Sequence, residues 1–417
     1  MINVTFITNN GKVVSAPDNS NLLRVSLREK GGIPYKCGAG LCGTCKCKIE
    51  QGLEHADAIK DKERKHLSDD DFATGYRMAC QTFVNGDVSV SWEPKTARKP
   101  AVETDAPAPV LVSAKFDGAF SALPEESRRR MLEIGPVWAE DIVGHRKLVI
   151  DAYTPLLANV PREGIEVSRE LSYGPHERHR LDVYRQAGLD EAAVVLFVHG
   201  GAFVRGVKDS SAEIYGNFAR YFARHGCVGI NMEYRLAPEA AYPGGAEDVA
   251  RAIAWIKENA WEYGGSPDRI FLVGHSAGAS HAAAYVCDPA ARPAGGPGVA
   301  GLVLISGRLR ADARADNPNA HGVRAYYGAD ESLYERRSPV SYAERVDVPL
   351  FVAIAEHENP YLDAYAAEFL HRVGMARKRV PRFVQLRGHN HTSIVAHFDS
   401  GEEGLGRELL DFIAQPA

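Results

Sequence analysis

The sequence IFLVGHSAGASHAAAYV occupies residues 270–286 and decides the fold of the larger part of the chain. An apolar run ends in Gly-His-Ser-Ala-Gly, and small residues suited to a helix follow, so the stretch predicts a strand, a sharp turn and a helix. Such a turn needs glycines on both sides of Ser276, because the serine hydroxyl must project from a strained backbone. We therefore expect Ser276 at the end of a strand in a sheet covered by helices.

The surrounding sequence extends this prediction. Apolar runs alternate with helical stretches from VVLFVHG (194–200) to FVQLR (383–387). Alternation of this kind predicts an α/β fold with a mainly parallel sheet and helices on both faces. We assign residues 110–417 to this domain, with N-terminal cap helices at about 110–162.

Composition and charge exclude several classes of partner. The chain has 417 residues, of which 45% are hydrophobic and 25% charged, and its net charge is −5. This balance provides neither a basic stripe for nucleic acid nor a polybasic patch for a membrane surface. The N-terminus, MINVTFITNNGKVV, lacks the pattern of a secretory signal, so we expect a cytoplasmic protein with a small-molecule substrate.

A separate α+β domain is predicted for residues 1–93. VTFI, Asn9-Asn10-Gly11 and KVVS predict a β-hairpin, and a short helix follows with Asn19 or Ser20 as N-cap. The buried face of this helix is expected to carry Leu22, Leu23 and Leu27. Residues 94–109 are rich in proline and predict a linker between the two domains.

Five of the seven cysteines precede residue 81, and four of them have the spacing of a metal centre. Three occur in CGAGLCGTC, as Cys37, Cys42 and Cys45, and Cys80 follows in RMACQ. This spacing is typical of [2Fe–2S] binding. Structural zinc and buried free thiols are the alternatives; zinc is disfavoured because Cys80 has no close cysteine or histidine partner. Cys47 is interpreted as a core thiol.

The first 93 residues resemble the plant-type ferredoxin domain. CGTCKCKIEQG and LSDDDFATGYRMACQ are most similar to the ferredoxin modules of bacterial oxygenase reductases. The resemblance implies a β-grasp fold and a [2Fe–2S] cluster held by Cys37, Cys42, Cys45 and Cys80. It also implies an electron-transfer partner such as a ferredoxin reductase or an oxygenase component.

In the larger domain, His199-Gly200-Gly201-Ala202-Phe203 ends the strand VVLFV and is interpreted as an oxyanion loop. The N–H groups of Gly200, Gly201 and Ala277 would stabilise charge on a carbonyl oxygen. His199 itself is expected to be structural. Arg205 and Lys208 follow the loop and would suit an anionic substrate, although solvated surface positions are the commoner interpretation.

Ser276 needs a base and an acid, and two late segments offer them at predicted strand ends. AEHENPYLD contains the candidate acids Glu356, Glu358 and Asp363. RGHNHTS contains the candidate bases His389 and His391. A metal site formed by His389, His391 and Glu358 is disfavoured, because no further organised ligands accompany them.

Residues 111–417 resemble the α/β-hydrolase superfamily, specifically carboxylesterases of the hormone-sensitive-lipase and arylformamidase type. HGGAF, YRLAPE (234–239), GHSAG and the two late segments occur in that family's order. The resemblance implies Glu358, three residues after Ala355, as the acid and His391, three residues after Gly388, as the base.

Two functions follow from the sequence. The first is a serine carboxylesterase acting on a small ester, with amide or formamide hydrolysis as the variant within that class. The second is an electron carrier whose hydrolase domain is fused for co-localisation. Hydrolysis consumes no electrons, so a structural or regulatory role of the cluster is the further alternative, and a homo-oligomer is left open.

Overall fold

The structure, a computed structural model, describes residues 1–92 apart from 36, 37 and 39, and residues 119–415. The chain divides into two compact units, Met1–Val112 and Ser113–Ala417. The predicted linker, 94–109, lies outside the described residues, as does the beginning of the predicted cap, 110–118. Within the described residues, no helix combines the length and apolar character that crossing a bilayer requires.

The first unit is built on a five-stranded mixed sheet in the order β2-β1-β7-β4-β5. β1 pairs antiparallel with β2 and parallel with β7. Its elements are β1 (Ile2–Phe6), β2 (Lys12–Ala16), β3 (Ser20–Asn21), α1 (Leu22–Arg28), β4 (Lys46–Gln51), α2 (Asp61–Arg64), α3 (Asp69–Ala73), β5 (Tyr76–Met78), β6 (Phe83–Val84) and β7 (Val88–Ser91). The predicted hairpin corresponds to β1 and β2.

The helix α1 differs in two details from the prediction. Its N-cap is Asn21, whose side chain accepts from the Arg24 N–H, and neither Asn19 nor Ser20 caps it. Leu22 and Leu23 are buried as expected, but Leu27 is 45% exposed. Leu27 lies in the last turn of this seven-residue helix, where its side chain is turned to solvent, and Val25 lies in the core instead.

The second unit contains an eight-stranded sheet in the order β15-β14-β13-β12-β10-β11-β9-β8. Its strands are β8 (Ile165–Ser172), β9 (Arg180–Gln186), β10 (Ala192–Val198), β11 (Val228–Met232), β12 (Gly265–His275), β13 (Gly301–Ile305), β14 (Leu350–His357) and β15 (Arg382–Asn390). The pairs from β15 to β11 are parallel, and only the pairs that involve β9 are antiparallel. The predicted mainly parallel sheet is confirmed.

Helices cover both faces of this sheet. They are α4 (Glu125–Ile134), α5 (Ile142–Ala158), α6 (Gly216–Arg224), α7 (Gly244–Asn259), α8 (Ala277–Cys287), α9 (Ala320–Tyr327), α10 (Tyr334–Arg337), α11 (Leu362–Arg377), α12 (Ser393–Ala396) and α13 (Gly404–Ala414). β10 is buried along its whole length, with Leu196 in the core beneath α7, α8 and α11 and Phe197 in the core beneath α5, α6 and α13. Burial on both faces explains the unbroken apolar run of this strand.

The helices predicted as a cap belong to the second of these cores. Met131 of α4 and Tyr153 of α5 are fully buried there. Tyr153 also donates to Oε1 of Glu402 at 2.9 Å, and the backbone N–H of Phe120 donates to Oε2 of the same carboxylate at 3.1 Å. These helices are therefore anchored to the sheet domain through packing and hydrogen bonds.

Candidate active site

Ser276 lies at the turn between β12 and α8 in a strained backbone conformation. Its dihedral angles are φ 56° and ψ −117°, which is a costly region for a residue with a Cβ atom. The Ser276 N–H donates to the carbonyl of Ile305 on the neighbouring strand β13 at 3.0 Å. The turn is therefore tied to the sheet beside it.

The glycines of the motif are required by close packing. A Cβ atom on Gly274 would lie 2.5 Å from the Ala279 Cα atom, and one on Gly278 would lie 2.1 Å from the carbonyl oxygen of Val198. Both contacts involve backbone, which cannot move aside without shifting a strand or helix. Glycine is therefore required both two residues before and two residues after Ser276.

Ser276, His391 and Glu358 form one hydrogen-bonded series. The Ser276 hydroxyl lies 3.0 Å from Nε2 of His391, and Nδ1 of His391 lies 2.7 Å from Oε2 of Glu358. Side-chain exposure is 9% for His391 and 3% for Glu358. In this arrangement His391 can accept the serine proton while the carboxylate holds the ring in the required tautomer.

The sheet brings these side chains together. Ser276 follows β12, Glu358 follows β14 and His391 follows β15, and the three strands are parallel. The carboxyl ends of such strands meet at one edge, where ligands bind in open α/β sheets. The intervening strand β13 contributes Ser306, whose Oγ donates to Oε1 of Glu358.

Ser306 was missed by the sequence reasoning. It is the first residue beyond β13, and Glu358 also accepts from the backbone N–H of Ala355 at 2.8 Å. Oε1 of the carboxylate is thus fixed by two donors, and Oε2 faces His391. The available signal was positional, because a serine directly after an inner strand lies at the edge where the other candidates meet.

The alternative acids, Glu356 and Asp363, and the alternative base, His389, have other hydrogen-bond or ion-pair partners. Glu356 is exposed and accepts from the Gly388 N–H at 2.6 Å. Asp363 accepts from the N–H of Ala364 in the first turn of α11. His389 pairs with Glu402 at 3.4 Å. The structure brings Glu358 and His391 to Ser276 and leaves these three side chains with other partners.

A cavity of about 110 Å³ adjoins Ser276. Its walls include Gly200 and Gly201 of the predicted oxyanion loop, and Ala277 begins α8, where the first N–H groups have no acceptor within the helix. The other residues around it are Ile142, Arg146, Ala202, Arg205, Gly206, Tyr215, His275, Asn319, Asn359, His391 and Thr392. Among these lining residues there is no aspartate or glutamate.

A second series of hydrogen bonds holds the backbone of His391. His275 Nε2 donates to the carbonyl of His391 at 2.9 Å, and the Tyr215 hydroxyl lies 3.4 Å from His275 Nδ1. Burial lowers the pKa of His275 well below its usual value, and the nearby His391 lowers it further. The neutral ring has the one N–H and one acceptor that these contacts need. The Gly200 N–H also approaches the Tyr215 oxygen.

His199 has structural contacts. Its Nε2 lies 2.8 Å from Glu233 and its Nδ1 2.8 Å from the carbonyl of Gly200. Arg178 also pairs with Glu233. These contacts support the interpretation of His199 as a residue that holds the loop.

Lys208 is not available to a substrate. It is buried, and its ammonium pairs with Asp182 at 2.9 Å, Asp209 at 2.7 Å and Glu170 at 2.7 Å. Both sequence interpretations of Lys208 are therefore wrong: it is buried, so it is not a solvated surface residue, and three carboxylates already neutralise it, so it does not suit an anion. Arg205, by contrast, lines the cavity.

In the first unit, the loop around the cysteines has the features of a cluster cradle. Gly38, Gly40 and Gly43 have φ angles of 61°, 82° and 69°, a region that favours glycine. Cys45 and Cys80 are buried and hydrogen-bonded through their thiols, and Cys42 is partly exposed. Cys37 lies outside the described residues.

Donors point at sulfur in this loop, as a thiolate-bound cluster requires. The Gly40 N–H and the Gln81 side chain, at 3.4 Å, donate to the Cys80 sulfur. Cys47 instead lies in the core, with its sulfur 3.7 Å from the carbonyl of Arg77, and burial raises its pKa to about 12. Cys42, Cys45 and Cys80 therefore fit an iron–sulfur cluster, whereas Cys47 is a core thiol.

Comparison with known proteins defines the class to which this fold and site belong. Residues 195–374 match the family model described as alpha/beta hydrolase fold, and residues 6–85 match that of the 2Fe-2S iron-sulfur cluster binding domain. Carboxylesterase NlhH of Mycobacterium tuberculosis is 31% identical over 245 residues, which are 53% of this chain and 73% of NlhH. The chain belongs to the α/β-hydrolase family.

Other relatives share shorter parts. Esterase LipQ of Mycobacterium tuberculosis is 30% identical over 45% of this chain and 48% of its own length, so the chain spans about half of that relative. A probable isoprenylcysteine alpha-carbonyl methylesterase of Oryza sativa is 37% identical over 31% of this chain and 30% of its own length.

Solved structures agree in fold. A hyperthermophilic esterase from the archaeon Pyrobaculum calidifontis matches with a TM-score of 0.54 at 22% identity, covering 70% of this chain and 98% of the esterase. A bacterial heroin esterase gives the same TM-score and coverage at 24% identity. These matches define the fold of the second unit.

Proposed function

We propose that the chain is a serine carboxylesterase that hydrolyses small carboxylic esters, and that its N-terminal domain holds a [2Fe–2S] cluster. The proposed boundaries are residues 1–93 for the ferredoxin domain, 94–109 for the linker and 110–417 for the hydrolase. The observation that carries the esterase is the series from Ser276 Oγ to His391 at 3.0 Å and from His391 to Glu358 at 2.7 Å.

The chemistry begins at the serine hydroxyl. As Ser276 Oγ attacks the ester carbonyl, His391 Nε2 accepts its proton, and Glu358 stabilises the imidazolium that forms. The carbonyl oxygen gains negative charge, which the N–H groups of Gly201 and Ala277 would stabilise; the Gly200 N–H would join them on leaving the Tyr215 oxygen. The histidine then gives its proton to the leaving alcohol.

The acyl-enzyme is released by the same residues. His391 removes a proton from a water molecule, the hydroxide attacks the acyl carbon, and the proton returns to Ser276 Oγ as the carboxylic acid leaves. The hydrogen bond from His275 to the carbonyl of His391 holds the histidine backbone in both half-reactions. No step consumes an electron.

The decisive experiment compares two serine variants on p-nitrophenyl butyrate. Ser276→Ala removes the nucleophile, so we expect activity to fall to the background of the assay. Ser332→Ala is the control, because Ser332 is exposed and bonds only Asp330; its activity should equal that of the unmodified protein. Retained hydrolysis in Ser276→Ala would refute the proposed mechanism.

The N-terminal domain supports a second function, electron transfer. The family match and the cradle of Cys42, Cys45 and Cys80 favour it, with Cys37 proposed as the fourth ligand. Such a cluster supplies one-electron transfer when bound, and a ferredoxin reductase or oxygenase component is the proposed partner. Ester assays before and after reduction with dithionite test for coupling, and equal rates would indicate independent domains.

The cytoplasmic location stays a prediction.

A further inference from the structure

Two arginines lie at the cavity beside Ser276. Arg146 belongs to α5, and Arg205 follows the oxyanion loop. Both side chains line the cavity and are exposed at its mouth. Two separate parts of the fold therefore deliver positive charge to the place where a substrate would enter.

Neither guanidinium has a carboxylate partner among the residues that the structure describes. Arg146 Nη2 donates to Ser210 Oγ at 2.8 Å, and Arg205 Nη2 donates to Asn319 Oδ1 at 3.2 Å. Both partners are neutral, so they orient the guanidinium groups without cancelling their charge. Most other guanidinium groups near this unit's core have acidic partners, as Arg220 does with Glu213 and Asp399.

The charge of Arg146 extends into the site. Partial desolvation at the cavity lowers the pKa of Arg205, and the nearby Arg146 lowers it further. The pKa of His275 is lowered mainly by burial and by His391, and Arg146 lowers it further. The lining residues include no aspartate or glutamate, so no lining carboxylate offsets this positive potential.

We propose that the site selects esters that carry a free carboxylate, bound by Arg146 and Arg205 while Ser276 attacks the ester carbonyl. This inference rests on the proposed esterase function and names its substrate class. The planar guanidinium presents paired N–H donors that match a carboxylate. Each arginine has a neutral hydrogen-bond partner that a substrate carboxylate would supplement and need not displace.

The substrate test uses pairs that differ only in charge. Monoethyl adipate carries its carboxylate on the acyl side, and meta-acetoxybenzoate carries it on the alcohol side; each is compared with its neutral carboxamide. We expect kcat/KM of the unmodified protein to favour at least one carboxylate over its carboxamide, mainly through a lower KM. Added salt should reduce the preference, because charges at the cavity mouth are screened. Equal kcat/KM values for both pairs would overturn the proposal.

Variants identify the residues responsible. Arg146→Gln and Arg205→Gln should each lower the carboxylate-to-carboxamide ratio about tenfold, and the double variant about a hundredfold, as expected for the loss of charged hydrogen bonds. Lys147→Gln is the matched control: it removes one positive charge from the same helix, but Lys147 pairs with Asp151 and does not line the cavity. A ratio that falls equally in Lys147→Gln would contradict specific recognition.

Direct binding separates this inference from the esterase proposal. Calorimetric titration of monoethyl adipate and meta-acetoxybenzoate into the Ser276→Ala protein needs no turnover. In that background, we expect Arg146→Gln to raise the Kd of the preferred ligand about tenfold. If p-nitrophenyl butyrate is hydrolysed through Ser276 but the Arg146 change leaves both titrations and the kinetic ratios unchanged, only the substrate class is wrong. If no ester is hydrolysed, the esterase proposal fails and the titration still decides whether the arginines bind carboxylate.

Discussion

The hydroxyl of Ser306 donates a hydrogen bond to Oε1 of Glu358, and the other carboxylate oxygen, Oε2, faces His391. We expect Ser306→Ala to lower kcat about tenfold, because a hydrogen bond to a charged group is worth about 1.5 kcal/mol or more. Ser306→Thr keeps the hydroxyl but adds a β-branched methyl group at a buried position whose φ is 49°, so it should recover only part of the activity. Steady-state kinetics on p-nitrophenyl butyrate measure both, and full activity in Ser306→Ala would mean that Ala355 alone holds the carboxylate.

The choice between Glu358 and its neighbour can be made by matched substitutions. Glu358→Gln leaves the shape intact but removes the charge that stabilises the imidazolium, so kcat should fall about a thousandfold or more. Glu356→Gln should change kcat less than about threefold, within the usual range for an exposed site, because Glu356 accepts only from the Gly388 N–H. The reverse order of effects would move the acid to Glu356.

His397 makes the free energy of unfolding depend on pH. It is buried, and burial, with the nearby His389, lowers its pKa from 6.5 to about 4. The unfolded chain therefore binds more protons between these values, so stability is full above about pH 6.5 and falls as the pH drops towards 4.

A urea titration at several pH values checks this dependence. His397→Gln should remove about 3 kcal/mol from the difference in unfolding free energy between neutral and acidic pH, as the size of the pKa shift implies. His321→Gln, at an exposed position, should leave the difference unchanged. An identical pH dependence in the His397 variant and the unmodified protein would show that other groups cause the acid instability.

The cysteines of the first unit separate into proposed cluster ligands and a core thiol. Cys80→Ser should abolish the visible absorbance and bound iron of the purified protein, because a cluster needs its thiolates. Cys47→Ser should retain both, since the Cys47 sulfur faces the Arg77 carbonyl in the core. Loss of iron in both variants, with an unchanged far-ultraviolet circular dichroism spectrum, would make Cys47 a fifth candidate ligand.

The sequence was sufficient for the fold class and for Ser276, because a strand, an elbow and a helix leave a strong local pattern and Gly274 and Gly278 are dictated by backbone contacts. The proposal of Glu358 as the acid and His391 as the base needed the resemblance, because acidic and histidine neighbours in the same segments satisfy the local pattern equally well. Side-chain orientation at a strand end decides among them, and orientation is a property of the assembled sheet.

The features that sequence reasoning missed arise from contacts between distant segments. Lys208 and Arg205 have the same charge and are separated by two residues, yet Lys208 meets carboxylates from Asp182 and Glu170 while Arg205 faces the cavity. Arg146 comes from a helix that precedes the sheet. Leu27 illustrates a smaller limit, because it lies within the helix Leu22–Arg28 and at a periodic position, yet its side chain is 45% exposed.

The backbone of Ser276 implies a trade-off between heat resistance and catalysis. At φ 56° and ψ −117°, any side chain beyond hydrogen is strained by about 1–3 kcal/mol. Ser276→Gly would relieve that strain, against about 0.4–1 kcal/mol of added freedom in the unfolded chain, and should raise the melting temperature while abolishing hydrolysis. On this prediction, the protein is slightly less stable than its own Ser276→Gly variant.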